Sequence, residues 1–167
     1  PPPDGGYPNF TTAEGQNALF SLTTGTANTA VGWFSLKSVT TGSFNTGVGA
    51  GTLVLNTANR NTATGAGALL SNTIGVDNTA NGAFALLGNT EGSINTATGA
   101  GALFSNTIGI DNTANGVNAL HNNIAGNHNT AIGGNALQNN TSGFNTANGS
   151  QALEDNTTGS GNTATGS

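Results

Sequence analysis

Apolar and polar residues recur along this chain at a nearly constant spacing. The element N-T-A-x-G-x-x-A-L is repeated nine times with few variations, and each copy begins 16 or 17 residues after the one before. A repeat of this length predicts a solenoid, in which each copy forms one coil and the coils stack along an axis. Gly, Asn and Thr are frequent, and no apolar pattern with a helical period is present, so the coils are predicted to be β rather than helical.

Each coil is numbered from the Asn of this element, so that Asn is position 1 and Leu is position 9. Position 2 is Thr in every coil, position 3 is Ala except for Gly47, and Thr11 stands in place of the first Asn. The sequence therefore predicts an all-β protein, a β-solenoid (parallel β-helix or β-roll) of nine to ten coils over residues 11–167. The coils are 11–27, 28–44, 45–60, 61–77, 78–94, 95–111, 112–128, 129–144 and 145–161, followed by 162–167.

The leucine of position 9 is the predicted core. It forms a column of nine residues: Leu19, Leu36, Leu53, Leu69, Leu86, Leu103, Leu120, Leu137 and Leu153. If this leucine points inward, the alternation of side chains along a strand turns positions 8 and 10 outward. The same alternation turns Ala of position 3 inward and Thr of position 2 outward. Each coil is therefore predicted to hold two short strands joined by two glycine corners.

A second phrase, N-T-x-G, closes each coil and predicts the second corner. Its Thr lies at position 13, where Ile124 is the exception, and its Gly lies at position 15, where Asn59 is the exception. Asn is the residue other than Gly that best tolerates a positive φ. The exchange of Gly for Asn therefore predicts a positive φ at position 15.

The polar columns are predicted to form ladders of side-chain hydrogen bonds from coil to coil, as stacked identical residues do in cross-β structures. The asparagine ladder of position 1 comprises Asn28, Asn45, Asn61, Asn78, Asn95, Asn112, Asn129 and Asn145. The threonine ladder of position 2 comprises Thr29, Thr46, Thr62, Thr79, Thr96, Thr113, Thr130 and Thr146.

Position 10 is largely apolar in the first six coils and polar in the last three, and position 8 beside it holds only Ala, Ser or Thr. An apolar stripe beside small residues is typical of a docking face. The proposed subunit contact face therefore consists of Phe20, Val54, Leu70, Leu87 and Phe104. The alternative is that position 10 is a second core column and that the strands have the opposite phase.

The ends of the chain add two expectations. Residues 1–10 precede the repeat and are rich in Pro and Gly, which predicts a linker, a lid over the first coil, or an arm that reaches a neighbouring subunit. The sequence stops in mid-coil at N-T-A-T-G-S, whereas a soluble solenoid normally ends in a capping repeat. We therefore expect a fragment of a longer solenoid, or an end that another molecule covers.

Composition excludes several classes of function. The formal net charge is −5, and only Lys37 and Arg60 are basic, so nucleic-acid binding is not expected. No apolar stretch is long enough to cross a bilayer, and the absence of cysteine leaves neither disulfides nor a cysteine zinc site. The chain opens with Pro1 rather than Met, which together with its composition predicts a mature or excised piece located outside the cell or on its surface.

Candidate chemistry is sparse. Glu154 and Asp155 are adjacent and would face opposite sides of a strand, while Asp77 and Asp111 share a column two coils apart. His121 and His128 lie in one coil without further metal ligands nearby in the pattern. The protein is therefore expected to be no enzyme and to need no cofactor or metal.

The nine residues Asn129 to Leu137 read N-T-A-I-G-G-N-A-L. This phrase resembles the glycine-rich repeats of bacterial surface proteins and phage-tail-like fibres, and it is more distantly similar to the N-S-x-A-x-G head repeats of trimeric autotransporter adhesins. The resemblance covers residues 11–167. It implies a rod within a fibre, and the adhesin heads are parallel trimers of left-handed β-rolls.

The expected function is therefore that of a structural subunit of a self-assembling extracellular fibre or filament, whose partners are copies of itself. One alternative is the shaft or head of a trimeric adhesin or phage-like tail fibre. Another alternative, of a different class, is an ice-binding protein that uses the outward threonine column. No receptor or surface ligand is predicted.

Overall fold

The computed structural model describes residues 8–167 and confirms the β-solenoid. Ten three-residue strands form one parallel sheet in chain order. The strands are β1 Thr12–Glu14, β2 Thr29–Val31, β3 Thr46–Val48, β4 Thr62–Thr64, β5 Thr79–Asn81, β6 Thr96–Thr98, β7 Thr113–Asn115, β8 Thr130–Ile132, β9 Thr146–Asn148 and β10 Thr163–Thr165. Each strand holds positions 2 to 4 of its coil.

A short 3₁₀ turn, Pro8–Phe10, precedes the first strand. The carbonyl oxygen of Asn9 accepts a hydrogen bond of 2.9 Å from the backbone N–H of Ala27, so this turn lies against the first coil. The rest of the predicted arm or lid, residues 1–7, lies outside the described residues.

Neighbouring strands pair residue for residue, so that equal positions stack directly on one another. Thr62 pairs with Thr79, and Ala63 pairs with Ala80. The sixteen-residue coils keep this register, since Thr130 still pairs with Thr146. The missing residue of a short coil is therefore absorbed outside the sheet.

The second strand predicted for each coil does not form among the described residues. Positions 7 and 9 both have left-handed backbones, and φ at the leucine of position 9 lies between 48° and 53° in all nine coils. The alternation of side chains holds only where successive residues are extended. It fails at this turn, so positions 8 and 9 both face inward.

The prediction that position 8 points outward is therefore wrong. Its alanines are buried beside the leucine column, as Ala68 and Ala85 illustrate at 0 % exposure. The position-9 leucines line the core from Leu19 to Leu137, and Leu153 packs against it partly buried. Alanines of positions 3 and 8 and leucines of position 9 thus form one thin apolar core.

Gly47 is the one position-3 residue that is not alanine, and the reason lies in two neighbouring hydroxyl groups. Position 8 is Ser35 in the preceding coil and Thr52 in the same coil, and both are buried. Ser35 Oγ lies 2.8 Å from Thr52 Oγ1 and donates to the carbonyl oxygen of Gly47 at 2.9 Å. A Cβ on Gly47 would lie 2.6 Å from Ser35 Oγ. Glycine therefore makes room for buried hydroxyl groups.

From the third coil to the ninth, two columns of asparagines meet at one inward carbonyl group in each coil. At position 1, the backbone N–H of Asn78 donates to Asn61 Oδ1 at 3.0 Å, and Asn78 Nδ2 donates to the carbonyl oxygen of Gly92 at 2.8 Å. At position 12, Asn89 Nδ2 donates to Asn72 Oδ1 at 2.7 Å and to the same Gly92 carbonyl at 2.8 Å. An inward carbonyl that would be costly to bury alone thus has two donors.

The position of this carbonyl corrects the alignment of the short coils. Asn45 Nδ2 donates to Ala58 O, and Asn129 Nδ2 donates to Ser142 O, so Ala58 and Ser142 occupy position 15. Asn59 lies at position 16, and the residue lost from each short coil is that of position 14. The predicted positive φ at position 15 is wrong, since left-handed backbones lie at position 17 instead, as at Arg60. In the seventeen-residue coils, position 15 is glycine because a Cβ there, as on Gly75, would collide with the carbonyl oxygen of the next coil.

Candidate functional surfaces

Three outward surfaces of the described coils are candidates for a function. The threonine face consists of positions 2 and 4 on the outside of the sheet. The apolar ridge consists of Val54, Leu70, Phe84, Leu87 and Phe104, from positions 7 and 10. The corner column is position 17, directly before each position-1 residue.

The threonine face exposes side chains whose hydroxyl groups are not used by the fold. Within residues 8–167, the position-2 threonines from Thr29 to Thr146 make no side-chain hydrogen bond, and the middle strands alternate exposed, buried, exposed. The predicted hydrogen-bonded threonine ladder is therefore wrong.

A second threonine column, at position 13, behaves differently. Thr57 Oγ1 donates to the carbonyl oxygen of Thr73 at 2.9 Å, and Thr73 Oγ1 donates to that of Thr90 at 2.9 Å. The same contact recurs from Thr90 to Thr107 at 3.1 Å. These hydroxyl groups join consecutive coils, so their conservation along the repeat has a structural cause that position 2 lacks.

The asparagine ladder of position 1 makes its predicted hydrogen bonds, and those of Asn95 and Asn112 repeat the geometry of Asn78. The second ladder, at position 12, was missed by the sequence reasoning. It comprises Asn56, Asn72, Asn89, Asn106, Asn123, Asn140 and Asn156. The available signal is the recurrence of Asn in N-T-x-G, a phrase that also predicts a corner. Leu22 and Val39 take its place in the first two coils.

The proposed contact face needs one correction, because position 8 is buried and position 7 takes its place. Val54, Leu70, Leu87 and Phe104 are half-buried, and Phe20 is 70 % exposed in the first coil. Position 10 is thus not a second core column, since its side chains cover the coil from outside.

Phe84, at position 7, completes the apolar ridge and is 48 % exposed. A Cβ on Gly67 would lie 2.9 Å from Phe84 Cδ1 and 3.8 Å from Leu87 Cδ1, so both side chains converge on this glycine. A Cβ on Gly51 would likewise lie 3.9 Å from both Leu70 Cδ1 and Val54 Cγ2. Glycines of position 7 therefore form the floor on which the ridge side chains pack.

Aromatic contacts extend the ridge at both ends. Lys37 Nζ lies 4.4 Å from the centre of the Phe34 ring, which stacks on Trp33 with the ring centres 4.1 Å apart. At the other end, His121 stacks on Phe104 with ring centres 4.9 Å apart. Position 10 then continues with polar residues, so the apolar ridge is confined to the first two thirds of the rod.

The corner column includes four ionisable residues, Arg60, Asp77, Asp111 and His128. Arg60 donates to Asp77 through Nε at 2.6 Å and Nη2 at 2.8 Å, and these hydrogen bonds lower the pKa of that carboxyl. His128 Nδ1 lies 3.0 Å from Asp111 Oδ2, and its ring stacks on Phe144. Each carboxylate is thus paired with a base one coil away rather than with the other carboxylate.

Metal binding finds no support in residues 8–167, which contain no group of three or more His, Asp or Glu side chains suited to one ion. His121 Nδ1 is engaged by Asn122 Oδ1 at 2.9 Å. In the same part of the chain, no helix has the length and apolar character needed to span a membrane.

A parallel stack of three-residue strands around a column of leucine and asparagine defines a β-solenoid repeat protein. Comparisons of the chain with protein-family models, with curated proteins and with solved structures found no match. A functional proposal therefore depends on the three surfaces and on the way the coils are joined.

Proposed function

We propose that the protein is a structural subunit of an extracellular fibre and assembles with copies of itself through the apolar ridge. The observation that carries this proposal is the ridge itself. It places five large apolar side chains side by side on a chain whose charged residues make up only 5 %. Contiguous apolar surface of this kind is a common mark of protein–protein contact.

The way the coils are joined supports a mechanical role. Outside the sheet, Leu69 N donates to Ala85 O at 3.0 Å, and Ser71 N donates to Leu87 O at 3.1 Å. The two buried asparagine ladders add further bonds in the same direction. Every coil is therefore tied to the next on each side of its core, which favours a stiff rod over a flexible linker.

Self-association through the ridge can be tested with a double variant, Phe84→Asn with Leu87→Gln. Both new residues already occur in the same columns at Asn118 and Gln138, so the coil should accept them. We expect the wild type to assemble with rising concentration, and the variant to need about tenfold more protein for the same assembly, since a loss of 1.4 kcal/mol has that effect. Sedimentation velocity and negative-stain microscopy would measure it.

The matched control is Ile74→Thr, which removes an apolar side chain that is 62 % exposed but lies at position 14, away from the ridge. It should assemble as the wild type does. A wild-type chain that stays monomeric at all concentrations would contradict the proposal. Short, discrete trimers would instead favour the shaft or head of a trimeric adhesin or tail fibre.

A second candidate function is ice binding, which is favoured by the unbonded hydroxyl groups of the threonine face. Positions 2 and 4 share the same strands and the same β preference, yet position 4 varies through Val31, Asn81 and Ile132 while position 2 is always Thr. The β-strand propensity of Thr therefore does not explain why position 2 is Thr in every coil. Rows of hydroxyl groups on a rigid flat sheet are suited to holding a layer of ordered water.

Ice binding predicts thermal hysteresis in a dilute solution of the wild-type chain. The double variant Thr79→Tyr with Thr96→Tyr would place two large rings on the flat face and should abolish the effect. Thr41→Tyr is the control, because Thr41 is also exposed but lies at position 14, away from the sheet. Absence of hysteresis in the wild type, or its loss in the control as well, would remove this candidate.

A further inference from the structure

The turn of positions 13 to 15 joins each coil to the next through one carbonyl oxygen. Between coils 78–94 and 95–111, the backbone N–H groups of Thr90, Glu91 and Gly92 all donate to the carbonyl oxygen of Thr107 at 3.0 to 3.1 Å, and Thr90 Oγ1 donates to the same atom at 3.1 Å. At six of the eight junctions between complete coils, the threonine of position 13 makes both the backbone and the hydroxyl bond. These threonines are Thr23, Thr57, Thr73, Thr90, Thr107 and Thr141.

Two junctions lack these bonds, and both lead into a sixteen-residue coil. Within residues 8–167, the backbone N–H groups of Thr40, Thr41 and Gly42, before coil 45–60, have no hydrogen-bond partner, and neither has the Thr40 hydroxyl group. The same holds for the N–H groups of residues 124–126, before coil 129–144. Ile124 is the exception to Thr at position 13, and it lies where a hydroxyl group would have no acceptor.

The missing residue of the short coil explains this loss. Without position 14, the chain of coil 45–60 takes a shorter path around the turn, and the carbonyl oxygen of Thr57 lies close to position 15 of the coil before it, 3.0 Å from where a Cβ on Gly42 would be. Within residues 8–167, no group donates to this oxygen or to the carbonyl oxygen of Thr141. The following junction is intact, since the Thr57 N–H donates to the carbonyl oxygen of Thr73 at 2.9 Å. A short coil therefore weakens only the junction before it.

We propose that these two junctions are hinges at which the rod bends, and that they divide it into three blocks, 11–44, 45–128 and 129–167. At each hinge the strands remain paired, and the N–H of position 9 remains bonded. Leu36 N donates to Thr52 O at 2.9 Å, and Leu120 N donates to Ala136 O at 3.0 Å. A junction that is bonded at the sheet but open at one turn can rotate without separating.

The two hinges lie on either side of the apolar ridge. The five side chains of the ridge, from Val54 to Phe104, belong to coils within the middle block. Bending at a hinge therefore changes the direction of an outer block and leaves the ridge side chains in register with one another. A rod of this kind can curve without distorting its contact face, and its hinges do not depend on what the ridge binds.

Hydrogen exchange of the position-9 amides, followed by NMR on the wild-type chain, can test the hinges because these amides are bonded in the same way at every junction. Fraying would make Leu19 exchange faster than Leu36, since Leu19 lies one coil farther out. A hinge reverses that order, because opening before coil 45–60 exposes the Leu36 amide and leaves the Leu19 amide bonded. We expect Leu36 to exchange about tenfold faster than Leu19, and Leu120 about tenfold faster than Leu137.

A variant can create a third hinge. Deletion of Ile74 removes position 14 from coil 61–77 and makes it a short coil, so Thr57 should lose its acceptor on Thr73. The Leu53 amide should then exchange about tenfold faster than in the wild type, while the Leu103 amide, three coils farther on, should be unchanged. Ile74→Thr is the matched control, because it removes the same side chain and keeps the length of the coil.

Two results would overturn the hinges. One is protection that falls steadily toward both ends of the rod, with Leu19 less protected than Leu36 and Leu137 less protected than Leu120. The other is a deletion variant that keeps the wild-type circular dichroism spectrum and protects Leu53 as the wild type does. If the deletion variant does not fold, the order of exchange in the wild type decides alone.

Discussion

Left-handed backbones at residues other than glycine are the most frequent local strain in this protein. Each described coil has them at position 9, at position 17 in most coils, and at position 7 in several. For an L-residue this conformation costs about 1 to 2 kcal/mol. The leucines accept it because it turns them, together with the alanine before them, into the core.

Ile94 offers a test of this strain. It is a β-branched residue with φ of 61° and is 55 % exposed, so its backbone conformation is not offset by burial. Ile94→Asn should raise the free energy of unfolding by about 1 kcal/mol, because Asn tolerates the left-handed region. Urea unfolding would measure the change. Ile108→Asn, at a similar exposure of 51 % but without a left-handed backbone, is the control and should gain nothing.

Gly47 tests the packing of the thin core. Gly47→Ala should lower the free energy of unfolding by about 1 to 3 kcal/mol, since the added methyl group meets the buried Ser35 and Thr52 hydroxyl groups. The triple variant with Ser35→Ala and Thr52→Ala should recover most of that loss, because it recreates the alanine packing of the other coils. If Gly47→Ala is neutral, the steric explanation for this glycine is wrong.

At the scale of the element, the coil depends on satisfying its inward carbonyl group rather than on its strand. Three residues of strand supply few hydrogen bonds of their own. In coil 95–111, the Gly109 carbonyl accepts from Asn95 Nδ2 at 2.8 Å and from Asn106 Nδ2 at 3.1 Å. Asparagine is therefore a core residue here, and it is compatible with burial only while the ladder is continuous.

Asn106→Ala should lower the free energy of unfolding by about 2 to 4 kcal/mol. The change leaves Asn89 Oδ1 without the donor that lies 2.7 Å away, and it opens a cavity between two coils. Asn81→Ala is the control, because Asn81 is exposed on the threonine face and its side chain makes no hydrogen bond in the described structure. Denaturant unfolding would compare them, and equal losses would contradict a structural role for the ladder.

At the scale of the whole molecule, stability is divided among similar coils that contact only their neighbours. A solenoid of this kind tolerates the loss or gain of whole repeats but not of fractions of one. The reason is the register between coils, because each column of the core is built from the same repeat position in successive coils. The two short coils keep that register because they lose a residue only at the exposed corner of position 14.

Deletion of residues 78–94, one whole coil, joins Asp77 to Asn95 and keeps every column in line. The shortened chain should fold with an unchanged circular dichroism spectrum and be shorter by about 4.8 Å in small-angle scattering. Deletion of residues 78–86, about half a coil, should abolish the cooperative transition, because the leucine and asparagine columns no longer meet. A folded half-coil deletion would contradict a core based on register.

The sequence by itself determined the solenoid, the length and limits of most coils, the strand that begins at Thr of position 2, the leucine core column and the asparagine ladder of position 1. A strict period is sufficient for this, because equal residues at equal intervals can all be buried or paired only when they are stacked. Gly47 was visible as an exception, but its cause required the distances to Ser35 and Thr52.

Only the tertiary structure decided the path of the backbone between positions 6 and 12 of each coil. Leucine has no preference for a left-handed backbone, so nothing in its identity shows that alternation fails there and that position 8 turns inward. Three further features depend in the same way on backbone geometry. They are the convergence of two asparagine columns on one carbonyl group, the place of the missing residue in the short coils, and the unbonded hydroxyl groups of position 2. Residue type sets what each side chain can bond to, but the turn sets which partners it reaches.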